Sequence, residues 1–163
     1  MSKQTGFSSA VIVAGGSGSR MGRPKQMLPL GAKPVLVRTV EAFLQTPEIK
    51  EIVVVTPFDN RAELQKRFHG IVFADPGKTR LLSVKNGFLK TSAASQLVAV
   101  HDGARPLVES AHISACLQAA RQYGAAVLAV PVKDTVKVCE GGFVQNTLDR
   151  TVLWAAQTPQ CYR

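Results

Sequence analysis

Residues 11–26 read VIVAGGSGSRMGRPKQ. An apolar run enters four small residues, Gly15, Gly16, Ser17 and Gly18, and then meets the cations Arg20, Arg23 and Lys25. A strand that ends in glycine is a place where backbone N–H groups can approach an anion closely. Arg20 can bridge two phosphate oxygens, and Lys25 supplies a compact point charge. Met21 suits an anchor for the loop, and Pro24 stiffens the approach to Lys25. A glycine-rich turn with solvated charges has the same composition, so the loop alone leaves both readings open. Two familiar nucleotide loops are excluded. From Gly16 the pattern GxGxxG needs glycine at position 21, which is Met21, and the Gly77-Lys78-Thr79 step needs glycine at 72, which is Val72.

Outward from this stretch, short β-branched runs alternate with helix-period segments. Residues 8–14, 51–56, 70–74, 97–102 and 125–132 read as strands, several of them apolar on both faces. Leu36, Val37, Val40, Phe43 and Leu44 follow helical spacing behind Pro34, which suits a first helical turn. Leu81, Val84, Phe88 and Leu89 repeat that spacing, as do Ile113, Cys116, Leu117 and Ala120, and 60–68 predicts a shorter helix. This alternation predicts right-handed βαβ units and a three-layer, mainly parallel, Rossmann-like sheet within one domain spanning 1–163. Beyond Val132 two extended segments flank Gly141-Gly142, a hairpin signature that predicts an extended β-arm near 135–148. Ligands of open α/β sheets gather beyond the carboxyl ends of the strands, which is where the glycine loop falls.

The chain of 163 residues carries a formal charge of +9, with its cations dispersed and only 6% aromatic residues. A nucleic-acid groove usually interleaves stacking rings with Lys and Arg, so phosphorylated small molecules explain the charge better. Cys116, Cys139 and Cys161 form no CxxC or Cys/His cluster, which argues for reduced thiols rather than a zinc site or disulfide framework. MSKQTGFSS lacks an apolar signal core, and no run approaches the length of a membrane span. A cytoplasmic protein with neither a membrane nor a nucleic-acid partner is expected, or a stromal one in a plastid.

A second motif, HDGARP at 101–106, closes a predicted strand. Asp102 could hold a hydroxyl or a metal-bound water, with Arg105 fixing the acid; an Asp–Arg pair that merely holds a loop is the plainer reading. Taken together, AGGSGSRMGRPKQ and HDGARP resemble the signatures of nucleotidyltransferases, and among them the 2-C-methyl-D-erythritol 4-phosphate cytidylyltransferases of the non-mevalonate isoprenoid pathway. Three more segments match in order: DPGKTRLLSV as G-x-x-R-x-x-S-V, PVKDTVK as P-V-x-D-T-x-K, and LDRTVLWAAQTPQ as D-R-x-x-L-W-x-x-x-T-P-Q. Ribitol-5-phosphate cytidylyltransferases look similar.

The resemblance implies transfer of CMP from CTP to a polyol phosphate, releasing pyrophosphate, with Mg2+ carried mostly on the triphosphate. It places CTP against Ala14, Gly15, Gly16, Ser17 and Gly18, and the cytidine against Gly77, Arg80 and Ser83. It makes Arg20, Lys25 and Arg150 catalytic, and gives Asp102, Arg105, Thr135 and Thr158 to the acceptor, with Asp102 also the candidate metal ligand. The arm at 135–148 would pair two subunits in a homodimer, carrying Thr135 and Arg150 to the partner's site. An acceptor phosphate is already anionic, so no serine or cysteine nucleophile is called for, and His101 reads as a structural neighbour of Asp102. Lys78 and Pro76 depart from the common pattern. The family also continues past T-P-Q with an acidic segment, a later lysine, helices and a strand, so a C-terminally incomplete domain is expected. A nucleotide-binding fragment without turnover is the alternative from another class.

Overall fold

The computed structural model describes residues 7–16, 18 and 22–163; Ser17, Arg20 and Met21 lie outside the described residues. The chain opens with β1 (Ser8–Val13), followed by the short ribbon β2 (Pro29–Leu30) and β3 (Lys33–Pro34), then α1 (Val35–Leu44) and β4 (Ile49–Val55). Next come α2 (Arg61–Gln65), β5 (Val72–Ala74), α3 (Arg80–Phe88) and β6 (Leu97–Asp102). The chain continues through α4 (Ser110–Tyr123), β7 (Ala125–Pro131), β8 (Lys137–Glu140), β9 (Phe143–Thr147) and β10 (Trp154–Tyr162).

Six strands form the central sheet in the order β5-β4-β1-β6-β10-β7. The β5–β4, β4–β1 and β1–β6 pairs are parallel, as the strand–helix alternation requires. Strand residues alternate between two apolar layers. Ala10 and Ile12 pack with Leu36, Val40 and Phe43 of α1 and Ile113 and Leu117 of α4. Val11 and Val53 point the other way, toward Val84 of α3. Both faces of β1 are therefore buried, which is why its sequence is apolar without interruption.

Three expectations need correction. Pro34 stands at the N-cap of α1, paired in β3 with Pro29, and the helix begins at Val35. Of the apolar positions singled out in α3, Val84 alone turns to the sheet. Leu81, Phe88 and Leu89 are exposed, whereas Ser83 and Gly87 are buried. A Cβ at Gly87 would lie 2.4 Å from Val11 and 2.7 Å from Val55, so α3 meets the sheet through its small residues and at close range. Third, 154–162 forms a strand that periodicity did not reveal. β10 runs antiparallel between β6 and β7, and its register breaks between Ala156 and Gln160. That bulge takes Pro159 out of the ladder, where its missing N–H would cost a hydrogen bond.

The arm has the anticipated form. β8 and β9 pair only with each other, all their residues are exposed, and Gly141 and Gly142 have φ of 57° and 84°, as a two-residue hairpin turn demands. The three cysteines are free, Cys116 and Cys161 buried and Cys139 exposed. Among the described residues no helix is long and apolar enough to cross a membrane.

His101 ends up fully buried in β6, its ring 4.9 Å from that of Phe43. Nε2 lies 3.1 Å from the carbonyl of Arg105, which can only accept, so the neutral ring carries its proton there. Burial lowers its pKa from 6.5 to about 4. Between those values the unfolded chain binds a proton that the folded chain refuses. The stabilisation is complete above pH 6.5 and is lost as the pH falls toward 4, reaching about 3 kcal/mol at most. Denaturant titrations between pH 7 and 4.5 should show this loss in the wild type, with a visibly flatter profile for His101→Gln.

Candidate active site

The parallel register sets the site. The N–H of Ala14 donates to the carbonyl of Val55 at 2.8 Å, and that of Gly103 donates to Val13 at 2.8 Å. The parallel strands thus release their chains on one side, and a cleft of about 810 Å³ opens there, lined by the segments that follow β1, β5 and β6.

Its first wall is the glycine loop. A Cβ on Gly15 would sit 2.3 Å from Cβ of Pro76, so glycine is needed for the loop to lie against that proline. Gly18 has φ of 70°, and a Cβ there would fall 1.8 Å from the carbonyl oxygen of Arg23. Gly16 differs: no described atom lies within 4 Å of where its Cβ would be. No described residue accepts from the N–H groups of Gly15, Gly16 or Gly18. Ala14 can offer an anion no backbone donor, because its N–H belongs to the sheet and its carbonyl accepts from Gln26. Its part in the cleft is as wall.

Gln26 was not singled out by sequence. It is 5% exposed in the 3-10 turn Lys25–Met27, and its Nε2 donates to the carbonyls of Ala14 at 2.9 Å and Gly16 at 3.0 Å. Lys25, one residue earlier, is exposed, lines the cleft and pairs with no described carboxylate.

The opposite wall is the segment leading into α3. Thr79 caps the helix by accepting from Leu82 N at 3.2 Å, which turns the positive end of the helix toward the cleft beside Lys78 and Arg80. Ser83, expected to meet a base, lines the cleft at 4% exposed and also holds the loop: its Oγ accepts from Gly77 N at 3.0 Å and donates to the Thr79 carbonyl at 3.0 Å. A Cβ on Gly77 would lie 2.4 Å from Leu82, so this turn too depends on glycine.

At the floor, Asp102 sits between two guanidiniums. Arg80 donates to its Oδ1 through Nε at 3.1 Å and Nη2 at 2.9 Å, and Arg105 donates to Oδ2 at 3.2 Å. The surrounding loop is tied from below. Thr39 donates to the Gly103 carbonyl at 3.0 Å, and Thr158 Oγ1 accepts from Asp102 N at 3.2 Å. Gln157, also missed by sequence, accepts from Arg105. A second cavity of about 490 Å³ shares Ala104 and Arg105 with the cleft and is walled by Gln157 and Thr158. Both glutamines come into play only because β10 lies beside β6 and the turn at Lys25 folds under the loop; the one local signal was that Gln26 follows Lys25 directly.

Thr135 and Arg150 are not brought to this cleft in their own chain. Thr135 is exposed, and Arg150 is exposed and donates to the carbonyl of Lys133 at 2.8 Å. Among the described residues, no group of three or more His, Cys, Asp or Glu could hold a metal, and Asp102 is the cleft's one carboxylate. With both its oxygens engaged, the donor set suits a cation delivered on a phosphate ligand rather than one caged by protein.

Lys25, Lys78, Arg80 and Arg105 against one Asp, with a glycine loop and a helix N-terminus, make a site for a polyanionic nucleotide on a Rossmann-like sheet, the arrangement of a nucleotidyltransferase. The family model for IspD, 2-C-methyl-D-erythritol 4-phosphate cytidylyltransferase, matches residues 8–163. The chain is 42% identical over 162 residues to the 2-C-methyl-D-erythritol 4-phosphate cytidylyltransferase of Geobacillus thermodenitrificans, spanning 94% of this chain and 71% of that protein. It is 45% identical to the chloroplastic one of Oryza sativa subsp. japonica, over 95% of this chain and 54% of that protein. The crystal structure of 4-diphosphocytidyl-2C-methyl-D-erythritol synthase from Anaerococcus prevotii superposes with a TM-score of 0.86 at 32% identity, covering 97% of this chain and 70% of that one. The chain belongs to the 2-C-methyl-D-erythritol 4-phosphate cytidylyltransferase family.

The two adjacent glycines separate packing from binding. Gly15→Ala forces a methyl group into Pro76 and should cost about 1–3 kcal/mol in denaturant unfolding. Gly16→Ala should leave stability nearly unchanged while weakening the binding of inorganic tripolyphosphate, measured by calorimetry.

Proposed function

We infer that the chain transfers CMP from CTP to 2-C-methyl-D-erythritol 4-phosphate, releasing pyrophosphate, in isoprenoid precursor synthesis. The observation that carries this reading is the cleft itself: a glycine loop whose N–H groups meet no acceptor among the described residues on one wall, a capped helix N-terminus on the other, and Lys25 and Arg105 both lining it. An acceptor phosphate oxygen attacks the α-phosphorus in line, the new P–O bond forms, and the bond to the β-phosphate oxygen breaks. The attacking oxygen is already anionic, so the barrier lies in bringing two polyanions together and in charge on the transferring group. Lys25, and Arg20 beyond the described residues, are assigned to that charge. The Arg105 and Thr158 side, where the second cavity opens, is assigned to the acceptor. Mg2+ bound to the triphosphate would add further charge neutralisation, with Asp102 the cleft residue available to meet it. The reaction belongs in the cytoplasm, or in the stroma of a plastid.

A pyrophosphate-release assay with CTP tests the reading. Turnover with 2-C-methyl-D-erythritol 4-phosphate is expected, and turnover with ribitol 5-phosphate instead would overturn the acceptor assignment. Arg20→Ala and Lys25→Ala should each lower kcat by about a hundred- to a thousandfold, the usual effect of losing one transition-state donor. Arg20→Lys should also be impaired, because an ammonium cannot reproduce a two-pronged guanidinium contact.

The arm is proposed to pair two copies of the chain. Phe143 and Val144 are exposed on β9, 76% and 61% accessible, on a hairpin whose strands pair only with each other among the described residues. Thr135 and Arg150, away from their own cleft, would then serve the partner's. Mixing Lys25→Ala with Arg150→Ala, each inactive alone, should restore about a quarter of wild-type activity, since half the dimers are mixed and each holds one intact site. Two monomers by sedimentation, with no recovery on mixing, would sink the shared site.

A further inference from the structure

We propose that Gln26 is a positioning residue of the anion-binding loop: its carboxamide takes the carbonyls of Ala14 and Gly16 out of the ligand's way and locks the loop to the turn that bears Lys25. The proposal rests on the cytidylyltransferase reading and concerns the step it leaves unexplained, how a loop built of glycines holds one shape before a ligand arrives.

A primary amide has two N–H bonds, and both of Gln26 are spent on this loop, at 2.9 and 3.0 Å, from a side chain that is 5% exposed. The chemistry matters because a glycine loop carries as many carbonyl dipoles as N–H dipoles. A carbonyl turned into the cleft would repel a triphosphate as strongly as an N–H attracts it. A planar trans peptide also points its N–H opposite to its carbonyl, so holding the Ala14 carbonyl fixes the direction of the Gly15 N–H. Glycine cannot impose this by itself, since it has the widest choice of backbone conformation and loses the most entropy when ordered. An external clamp supplies the order.

The same clamp sets the distance between loop and cation. Lys25 is the covalent neighbour of Gln26, and the turn is closed by Leu28 N donating to the Lys25 carbonyl at 3.1 Å. The loop touches this segment a second time at Gly18, which packs on the carbonyl of Arg23. Loop donors and Lys25 therefore move as one body. A residue that only filled space would not need donors at both positions.

The test uses Gln26→Met, which keeps the length and volume but removes both donors, in the full chain. Binding of CTP and of inorganic tripolyphosphate is measured by calorimetry, beside kcat and KM for each substrate well below the melting temperature. The expected result is about a tenfold loss of affinity for both polyphosphates and a similar fall in kcat/KM for CTP, with KM for the polyol phosphate unchanged. Lowered stability with polyphosphate affinity and kcat/KM for CTP unchanged would overturn the proposal, because a merely structural glutamine moves stability alone. A wild type that binds tripolyphosphate but releases no pyrophosphate would sink the transfer reading only, and the affinity loss in Gln26→Met would still support the clamp. A wild type that binds neither polyphosphate overturns both. Should Gln26→Met fail to fold, the wild-type side-chain amide is followed by 15N NMR. Slow solvent exchange of both Gln26 Nε2 protons, slowed further by tripolyphosphate, supports the clamp; fast exchange, or no response to the anion, overturns it.

Discussion

Everything in the site hangs on one register. β1 lies between β4 and β6 with Val13 opposite both Val55 and Asp102, and each pairing is continued one residue further by a backbone hydrogen bond. This register is held by burial on both faces: a slip of one residue would turn Ile12 and Val11 into each other's layers, and every neighbour packed against them would be misplaced. Because the pairing is parallel, and β5 adds to β4 in the same sense, β1, β5 and β6 release their chains at the same end. The glycine loop, the Pro76–Arg80 segment and the HDGARP loop converge there without contacting one another in sequence. The core decides where the chemistry can be, and the loops decide what it is.

That division explains what could be read from the chain alone. β1, β4, β6, α1 and α4 were legible because their apolar spacing reports two buried faces or one buried stripe. The arm was legible because Gly141-Gly142 tolerates two successive positive φ angles. The orientation of α3 was not. Its largest side chains follow helical spacing, yet the helix meets the sheet through Ser83, Val84 and Gly87, since close approach rewards a small side chain rather than a large apolar one. β10 was hidden for another reason. Its pairing with β6 and β7 spans more than twenty residues in each case, and Pro159 and two glutamines interrupt any strand signal.

The site followed the same rule. Residues that meet a ligand were found because their types carry the chemistry: glycine for close approach, Lys and Arg for phosphate, Asp beside Arg. Residues that hold those groups in place were not found. Gln26, Thr39 and Gln157 are polar side chains whose purpose is visible only once the fold brings a carbonyl or guanidinium to them. Ser83 was found by resemblance and does line the cleft; what the sequence did not show is that its hydroxyl also closes the Gly77 turn. Polar groups in the layer beneath a site have no signature of their own in sequence, because what they satisfy comes from distant parts of the chain.

The ion pairs at the floor of the cleft fit an exchangeable role better than a structural one. Asp102 is held by Arg80 and Arg105, but the three side chains are 33%, 50% and 42% exposed, so water screens both pairs. Pairs of this kind are worth about 0–1 kcal/mol each, too little to hold the fold together. Stability at this end of the sheet comes instead from the buried ties of Thr39, His101 and Thr158 to the same loop. What the Asp102 pairs do supply is orientation, since two guanidiniums facing one cleft would otherwise repel each other and turn outward. A triphosphate or an acceptor phosphate carries more charge than one carboxylate and can draw an arginine away at small cost. The carboxylate thus keeps the cations aimed at the cleft when it is empty, without binding them tightly enough to compete when a phosphate arrives.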